Sequence, residues 1–276
     1  MIRLTGPAKR RATFGFGGTP EGRVPEPRAA LGFIVLVAVL FFYGAIRLQG
    51  ALGEHGVLAA EWLLLFVPAL LFVVIGRYDA KRTLSLRLPT SRALFGATLL
   101  ALGALPLIGL VGWLQTFVLP VPREILEGLQ ELMTAESLGR GVWLLLVLAV
   151  TPAFCEEIIF RGVLLGSTKT LGPWRLVVLN GLVFGAFHLS FQTAIRFLPT
   201  ALLGGLIAWV VWQTRSIWVG VLMHFLNNAT IIALTSWEST RESFSDPEKA
   251  PPVWLVVAGI VTVGFGIRSF QGSEEL

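Results

Sequence analysis

Eight apolar stretches alternate with polar or charged turns along this chain of 276 residues. Each stretch is near the length of about 20 residues that a helix needs to cross a lipid bilayer, and such runs are typical of membrane helices. The stretches cover approximately residues 30–46, 57–75, 93–119, 142–165, 174–189, 197–212, 217–234 and 253–267. The pattern predicts an all-α fold, a polytopic membrane helix bundle with about eight transmembrane helices.

Residues 121–137 follow a different pattern, in which acidic residues recur between apolar ones. The acidic positions are Glu124, Glu127, Glu131 and Glu136. This alternation predicts an amphipathic helix that lies on the outer membrane face or caps the bundle. An interfacial connector is the simpler interpretation, and a substrate gate is the alternative.

Composition and charge agree with a membrane protein. Hydrophobic residues make up 54% and charged residues 14% of the chain, whereas soluble domains have about 45–50% and about 25%. The net charge of +5 is spread between the apolar stretches, so no continuous basic patch predicts nucleic-acid binding. Most basic residues fall where a cytoplasmic N terminus would place them inside. We therefore expect an integral, multi-pass protein of the plasma (inner) membrane with both termini cytoplasmic.

Two further features limit the possible architectures. The first 28 residues are rich in Arg, Gly and Pro, which predicts a disordered basic cytoplasmic arm. The chain has a single cysteine, Cys155, which excludes an intrachain disulfide and any metal site built from several cysteines.

Six of the polar residues within the apolar stretches form the candidate site; a charged group at such a depth costs at least ~2.5–3.5 kcal/mol and is functional by default. They are Glu156, Glu157, Arg161, His188, His224 and Asn228. Because positions four apart share a helix face, Glu157 and Arg161 are expected to form an ion pair. His224 and Asn228 have the same spacing. These spacings predict that three helices present polar groups to one interior site.

The residue types favour hydrolysis. If Glu157 stays ionised beside Arg161, Glu156 is free to act as a general base, and a neighbouring imidazole can help to polarise a water. A second histidine and an asparagine amide can donate hydrogen bonds to a developing oxyanion. The alternative is a divalent metal such as zinc held by Glu156, His188 and His224. The expected cofactor is therefore none, or a divalent metal of this kind.

Three short motifs resemble those of a known family. Glu156-Glu157-Ile-Ile-Phe-Arg161, Phe184-Gly-Ala-Phe-His188 and His224-Phe-Leu-Asn-Asn228 resemble the EExxxR, FxxxH and HxxxN motifs of the CAAX-protease and bacteriocin-processing (CPBP, Abi-type) family of intramembrane glutamic proteases. Members of this family are often labelled metalloproteases. The resemblance covers approximately residues 142–233.

The resemblance implies a role for each motif position. It implies that Glu156 and His188 activate the water and that His224 and Asn228 support the transition state or the site geometry. Glu157 and Arg161 are implied to have supporting or substrate-positioning roles. Asn227 lies one residue outside the motif and is expected to point about 100° away from Asn228.

These observations predict an endopeptidase that cleaves a membrane-associated protein or peptide. The protein is expected to lie in the lipid bilayer and to bind no nucleic acid, and its oligomeric state is left open. A non-catalytic membrane protein of the same fold, with an immunity or partner role, is the alternative. A proton-coupled transporter is disfavoured because no paired repeats are evident.

The sequence is predicted to divide into four parts. They are the disordered basic arm (1–28), the first three helices with the amphipathic connector (29–141), a CPBP-like catalytic core (142–235), and a loop, last helix and short tail (236–276).

Overall fold

The computed structural model describes residues 22–119, 123–189, 194–237, 240 and 249–270. Most of the predicted basic arm lies outside these residues. Within these residues nine principal helices follow one another: α1 Pro27–Leu52, α2 Glu54–Ile75, α3 Ser91–Thr116, α4 Arg123–Met133, α5 Leu138–Leu171, α6 Pro173–Phe187, α7 Phe197–Thr214, α8 Ile217–Ser236 and α9 Val253–Arg268. One-turn helices occur at Ala80–Thr83, between α2 and α3, and at Ala194–Arg196, before α7. In the described part of the chain, the only β pairing is an isolated bridge between Leu86 and Ser216.

The predicted polytopic helix bundle is confirmed. Of the helices in the described residues, six are long and apolar enough to cross a membrane, namely α1, α2, α3, α5, α7 and α8. The other two predicted spans correspond to α6 and α9, which have 15 and 16 residues. At 1.5 Å per residue α6 is about 22 Å long, shorter than the apolar core of about 30 Å. The eight apolar stretches therefore form eight helices, two of them shorter than a full span.

Two of the long helices contain π-helical stretches before a proline. The stretch Glu61–Phe66 in α2 precedes Pro68, and Leu145–Val150 in α5 precedes Pro152. A proline inside a helix lacks the N–H for the usual hydrogen bond and clashes with the carbonyl four residues earlier. A wider π turn relieves this conflict locally and is common at functional sites. A third stretch, Ile158–Leu164, directly follows the two glutamates.

Helix α5 occupies the centre of the bundle. In its most apolar window 56% of residues are buried, against 28% in α1 and in α2. On one side α5 packs with α1, α2 and α6 through a core that includes Phe160 and Phe184. Its Leu165 belongs to a second core shared with α3, α7 and α8. The motif helix is thus enclosed by protein along much of its length, which removes lipid from around its charged residues.

Small residues allow the close approach of α6 and α7. A Cβ added at Gly181 would lie 2.6 Å from the Ala201 carbonyl oxygen, and one at Gly185 would lie 2.8 Å from the Ala201 Cβ. The backbones can therefore meet only because these positions lack side chains. Gly181 and Gly185 therefore form a packing surface of α6 within the chain.

The acidic connector forms helix α4, and the glutamates at 124, 127 and 131 are exposed. At the start of α5, Arg140 and Trp143 bind Glu54 at the start of α2. The Arg140 Nη2 and Trp143 Nε1 atoms donate to its carboxylate oxygens at 2.6 and 2.7 Å. This cluster joins the ends of the two helices that carry buried carboxylates.

Candidate active site

The ion pair predicted between Glu157 and Arg161 is present. Arg161 Nη1 donates to Glu157 Oε1 at 2.9 Å, and both side chains are fully buried. The two charges lie on one face of α5 because they are separated by one turn. Such a pair is stabilised only if its remaining polar atoms find further partners.

Arg161 obtains those partners from two other helices. Its Nη2 donates to the Gly204 carbonyl oxygen of α7 at 2.9 Å. Its guanidinium carbon lies 4.5 Å from the centre of the Phe184 ring of α6, a cation–π contact. A Cβ at Gly204 would come within 2.8 Å of Phe184, so this glycine permits the approach. Arg161 therefore joins α5, α6 and α7 around one charge.

Glu157 also orients the first histidine of the HxxxN motif. The Nδ1 atom of His224, in α8, lies 3.0 Å from Glu157 Oε1. Because a carboxylate accepts hydrogen bonds, this contact makes Nδ1 the protonated nitrogen and leaves Nε2 directed away from Glu157. Arg161, Glu157 and His224 thus form a continuous buried chain of charge-assisted hydrogen bonds. A carboxylate in this position can stabilise an imidazolium if His224 takes up a proton.

Gly220 leaves room for this carboxylate. A Cβ at Gly220, one turn before His224 in α8, would lie 2.7 Å from Glu157 Oε2 and 2.8 Å from Val211 Cγ2. Any side chain here would therefore displace either the carboxylate or α7. Sequence reasoning missed this residue, because nothing in a single sequence marks which glycine faces the site.

Glu156 and His188 face each other on α5 and at the end of α6. The His188 Nε2 atom is 3.7 Å from Glu156 Oε2. The His188 Nδ1 atom lies 2.9 Å from the Phe184 carbonyl oxygen, which selects the tautomer with a proton on Nδ1. In the neutral ring the Nε2 lone pair then points toward a carboxylate oxygen that is buried and without a hydrogen-bond partner among the described residues.

One donor molecule can serve two acceptors that face each other in this way. A water molecule can do this, because it can donate one hydrogen to the carboxylate and the other to the imidazole. Its oxygen lone pairs would then face outward as a nucleophile. This arrangement can polarise a water toward attack on an electrophilic carbon.

Phe184 brings the two histidines together. Its ring centre lies 4.6 Å from that of His188 and 5.8 Å from that of His224, in addition to the contact with Arg161. The phenylalanine of the FxxxH motif therefore packs simultaneously against the water-facing imidazole, the carboxylate-bound imidazole and the buried cation. Spacing alone indicates only that it shares a face with His188.

The asparagines lie one turn beyond His224. Asn228 Nδ2 donates to the Leu148 carbonyl oxygen of α5 at 2.9 Å. Asn227 is buried, and its Nδ2 donates to Asn228 Oδ1 at 3.0 Å. Although adjacent helical residues point about 100° apart, the two amides reach each other. Asn227 thus holds the motif asparagine in place, a role that was not expected from the sequence.

The possible metal ligands do not form a common set. Within the described part of the chain, no three His, Cys, Asp or Glu side chains are arranged to hold a metal ion. The three candidates, Glu156, His188 and His224, are divided between two separate contacts. The residues present therefore do not fit a three-ligand metal centre.

Two charged residues outside the motifs also interact with Glu156. Glu61, in the middle of α2, is buried and within electrostatic range of Glu156. Arg196, in the one-turn helix before α7, is exposed and interacts electrostatically with both Glu156 and His188. Sequence reasoning passed over both. A lone carboxylate inside an apolar stretch was the signal that could have revealed Glu61.

Comparison with known proteins supports the assignment of the motifs. Residues 138–230 match a family described as type II CAAX prenyl endopeptidase, Rce1-like. No curated protein and no solved structure matches the chain. The matched residues run from the start of α5 into α8 and contain all three motifs, whose side chains form the site just described. This match confirms, for residues 138–230, the predicted resemblance to the CAAX-protease and bacteriocin-processing family of membrane proteins.

Proposed function

We propose that this protein is an intramembrane endopeptidase in which Glu156 and His188 activate a water molecule for peptide-bond hydrolysis. The observation that carries the proposal is the 3.7 Å approach of His188 Nε2 to a buried oxygen of Glu156. Two facing acceptors of this kind would orient a water by both of its hydrogens. The family match to an endopeptidase supports the same reaction class.

The proposed reaction begins when the water oxygen attacks the carbonyl carbon of the scissile peptide bond. Glu156 accepts the proton that the water loses, while His188 holds the water through its second hydrogen. Negative charge develops on the carbonyl oxygen. His224 Nε2, when protonated, would donate to this oxyanion, and Glu157 would stabilise the imidazolium through Nδ1. The C–N bond then breaks, and the leaving nitrogen takes a proton from the site.

Asn228 has a positioning role in this proposal. One of its amide hydrogens is donated to the Leu148 carbonyl, which fixes α8 against α5 at the level of the site. The second amide hydrogen can be donated to a bound substrate. Arg161 acts through Glu157, because a buried carboxylate without a cation would be too costly to keep ionised.

The substrate class follows from the location and the family. The catalytic groups lie among apolar helices, so the scissile bond must enter the bundle from a membrane-associated protein or peptide. The matching family is described as a type II CAAX prenyl endopeptidase, and we propose a lipid-anchored peptide as the first substrate to test. We also propose location in the plasma (inner) membrane with both termini cytoplasmic, based on the distribution of basic residues.

The test replaces Glu156 by glutamine, which keeps size and hydrogen bonding but cannot accept the proton. Purified wild-type protein and Glu156→Gln are placed in phosphatidylcholine–phosphatidylglycerol vesicles with a farnesylated, internally quenched fluorescent peptide, and products are identified by mass spectrometry. We expect turnover to fall roughly 10²–10⁴-fold while substrate binding persists. Glu131→Gln, on exposed helix α4, is the matched control and should act as wild type.

A farnesyl-free peptide separates dependence on the lipid from dependence on the sequence. If no model peptide is cleaved, membrane fractions of cells carrying wild type or Glu156→Gln are compared by proteomics for uncleaved proteins. Wild-type turnover by Glu156→Gln would contradict the proposed mechanism and favour a non-catalytic membrane protein of this fold.

A further inference from the structure

Glu61 is a buried acid that neither the three motifs nor the family match includes. It is the only acidic residue of the predicted span 57–75, and it is 5% exposed. Its Oε2 atom has no hydrogen-bond partner, and no ion pair involves it in the part of the chain that the structure describes. A carboxyl group kept at this depth without a partner is costly and therefore calls for a function.

The position of Glu61 is set by packing between two helices. It begins the π-helical stretch Glu61–Phe66 of α2, which packs against the stretch Thr151–Glu157 of α5. Its carboxyl group interacts electrostatically with Glu156 and with the Cys155 thiol. These are the titratable groups facing Glu61 in the described chain. Glu61 thus reaches the neighbourhood of the proposed general base from α2, a helix that carries none of the three motifs.

The surroundings of the three buried glutamates differ in charge. Glu157 has Arg161 and His224 as hydrogen-bond partners. Glu156 has His188 at 3.7 Å and lies within electrostatic range of Arg161 and Arg196. Among the described residues, Glu61 has no cationic neighbour, either as a hydrogen-bond partner or within electrostatic range. Two nearby carboxyl groups in a medium of low polarity hold one proton between them rather than two negative charges. The proton then belongs on Glu61, because the positive groups surround Glu156.

We infer that Glu61 is the proton-sharing partner of Glu156, holding a proton while Glu156 is the ionised base and exchanging it with Glu156 during each turnover. This inference rests on the proposed hydrolytic function. The water proton passes to Glu156 as the C–O bond forms. A proton passes to the leaving nitrogen as the C–N bond breaks. Transfer of the remaining proton between the two carboxyl groups restores the starting state, so the net reaction consumes one water.

The kinetic test uses Glu61→Gln, which resembles the neutral acid in shape but has no acidic proton. The reconstituted peptide assay is run across pH for wild type, Glu61→Gln and Glu61→Asp. We expect kcat to fall about 10²-fold in Glu61→Gln with little change in KM, and the decline of wild-type activity at high pH to disappear. Glu61→Asp keeps a carboxylic acid, so its activity should still decline at high pH, although its kcat should be lower than that of the wild type.

A matched control separates chemistry from stability. Glu54→Gln alters a carboxylate at the start of the same helix and removes a half-exposed ion pair with Arg140. It should leave the pH profile unchanged even if it lowers thermal stability. If Glu61 has only a structural role, Glu61→Asp and Glu61→Gln should both show the pH profile of the wild type. That result would overturn the inference.

A spectroscopic test does not depend on substrate. The infrared spectrum of the resting wild-type protein should contain a protonated-carboxyl band that Glu61→Gln lacks. If the two spectra are identical in this region, Glu61 does not hold the proton and the inference fails. The proposed function fails separately if Glu156→Gln retains wild-type turnover. An inactive Glu156→Gln beside a fully active Glu61→Gln would overturn only the inference.

Discussion

Replacement of Glu157 by glutamine isolates the electrostatic part of the buried network. A glutamine can still accept hydrogen bonds from Arg161 Nη1 and His224 Nδ1, because its oxygen can occupy the position of Oε1. What it removes is the negative charge, so the guanidinium stays fully buried with only a carbonyl, an amide and an aromatic ring around it. We therefore expect a less stable protein as well as a slower one.

The magnitude follows from the burial of the pair. Removal of one partner from a buried ion pair typically costs ~3–5 kcal/mol. Since glutamine keeps both hydrogen bonds, the lower end applies, about 3 kcal/mol. A loss of 1 kcal/mol lowers the melting temperature of a chain of this size by about 2–4 °C. The Glu157→Gln variant should therefore melt about 6–12 °C below wild type.

The measurement is thermal unfolding of the purified protein in detergent micelles, monitored as the loss of the monomeric species. A double variant, Glu157→Gln with Arg161→Met, removes the unpaired charge as well. It should be more stable than Glu157→Gln alone, with a coupling of about 0.5–3 kcal/mol as found for residues in one network. Glu54→Gln, which breaks the half-exposed pair with Arg140, should cost only about 0–1 kcal/mol.

Two results would refute this reasoning. An unchanged melting temperature in Glu157→Gln would show that the buried charge is stabilised by groups other than this carboxylate. Strictly additive effects in the double variant would show that Glu157 and Arg161 do not depend on each other. In either case the role of Glu157 would be limited to the hydrogen bond that orients His224.

Two further predictions concern the same site. Gly220→Ala should lower both turnover and thermal stability, because the new Cβ would lie 2.7 Å from Glu157 Oε2. The control is Gly264→Ala in α9, where a Cβ has open space. Equal turnover and stability of the two variants would contradict the predicted clash at Gly220. The purified protein should keep the proposed turnover after treatment with a strong chelator, measured with the quenched peptide. Loss of activity that added zinc restores would instead indicate a metal held by Glu156, His188 or His224.

The sequence predicted much of this arrangement because helical spacing is a local property. Residues four apart share a face, so the ion pair of Glu157 with Arg161 could be predicted within one helix. The resemblance of the three motifs also indicated which helices carry polar groups. The eight apolar stretches each became a helix, although α6 and α9 are shorter than expected, since hydropathy reports apolar composition better than it reports the residue at which a helix ends.

The contacts that escaped prediction depend on packing between distant segments. Glu61 interacts electrostatically with Glu156 only because α2 packs against α5, and nothing in the spacing along either helix determines that register. The π-helical stretches change the direction of the side chains beyond them, which an ideal helix cannot anticipate. The hydrogen bond between the side chains of Asn227 and Asn228 likewise depends on amide rotamers rather than on helix geometry.

The contacts of Arg161 have a consequence for biogenesis. Its cation is neutralised within α5 by Glu157, one turn away, so this helix can enter the bilayer with its charge already paired. The other two contacts, with Phe184 of α6 and the Gly204 carbonyl of α7, exist only after later parts of the chain have been synthesised. A nascent chain that ends before Gly204 would therefore expose part of a guanidinium to lipid or to the insertion machinery. Completion of α7 would be the step that releases the protein from such assistance.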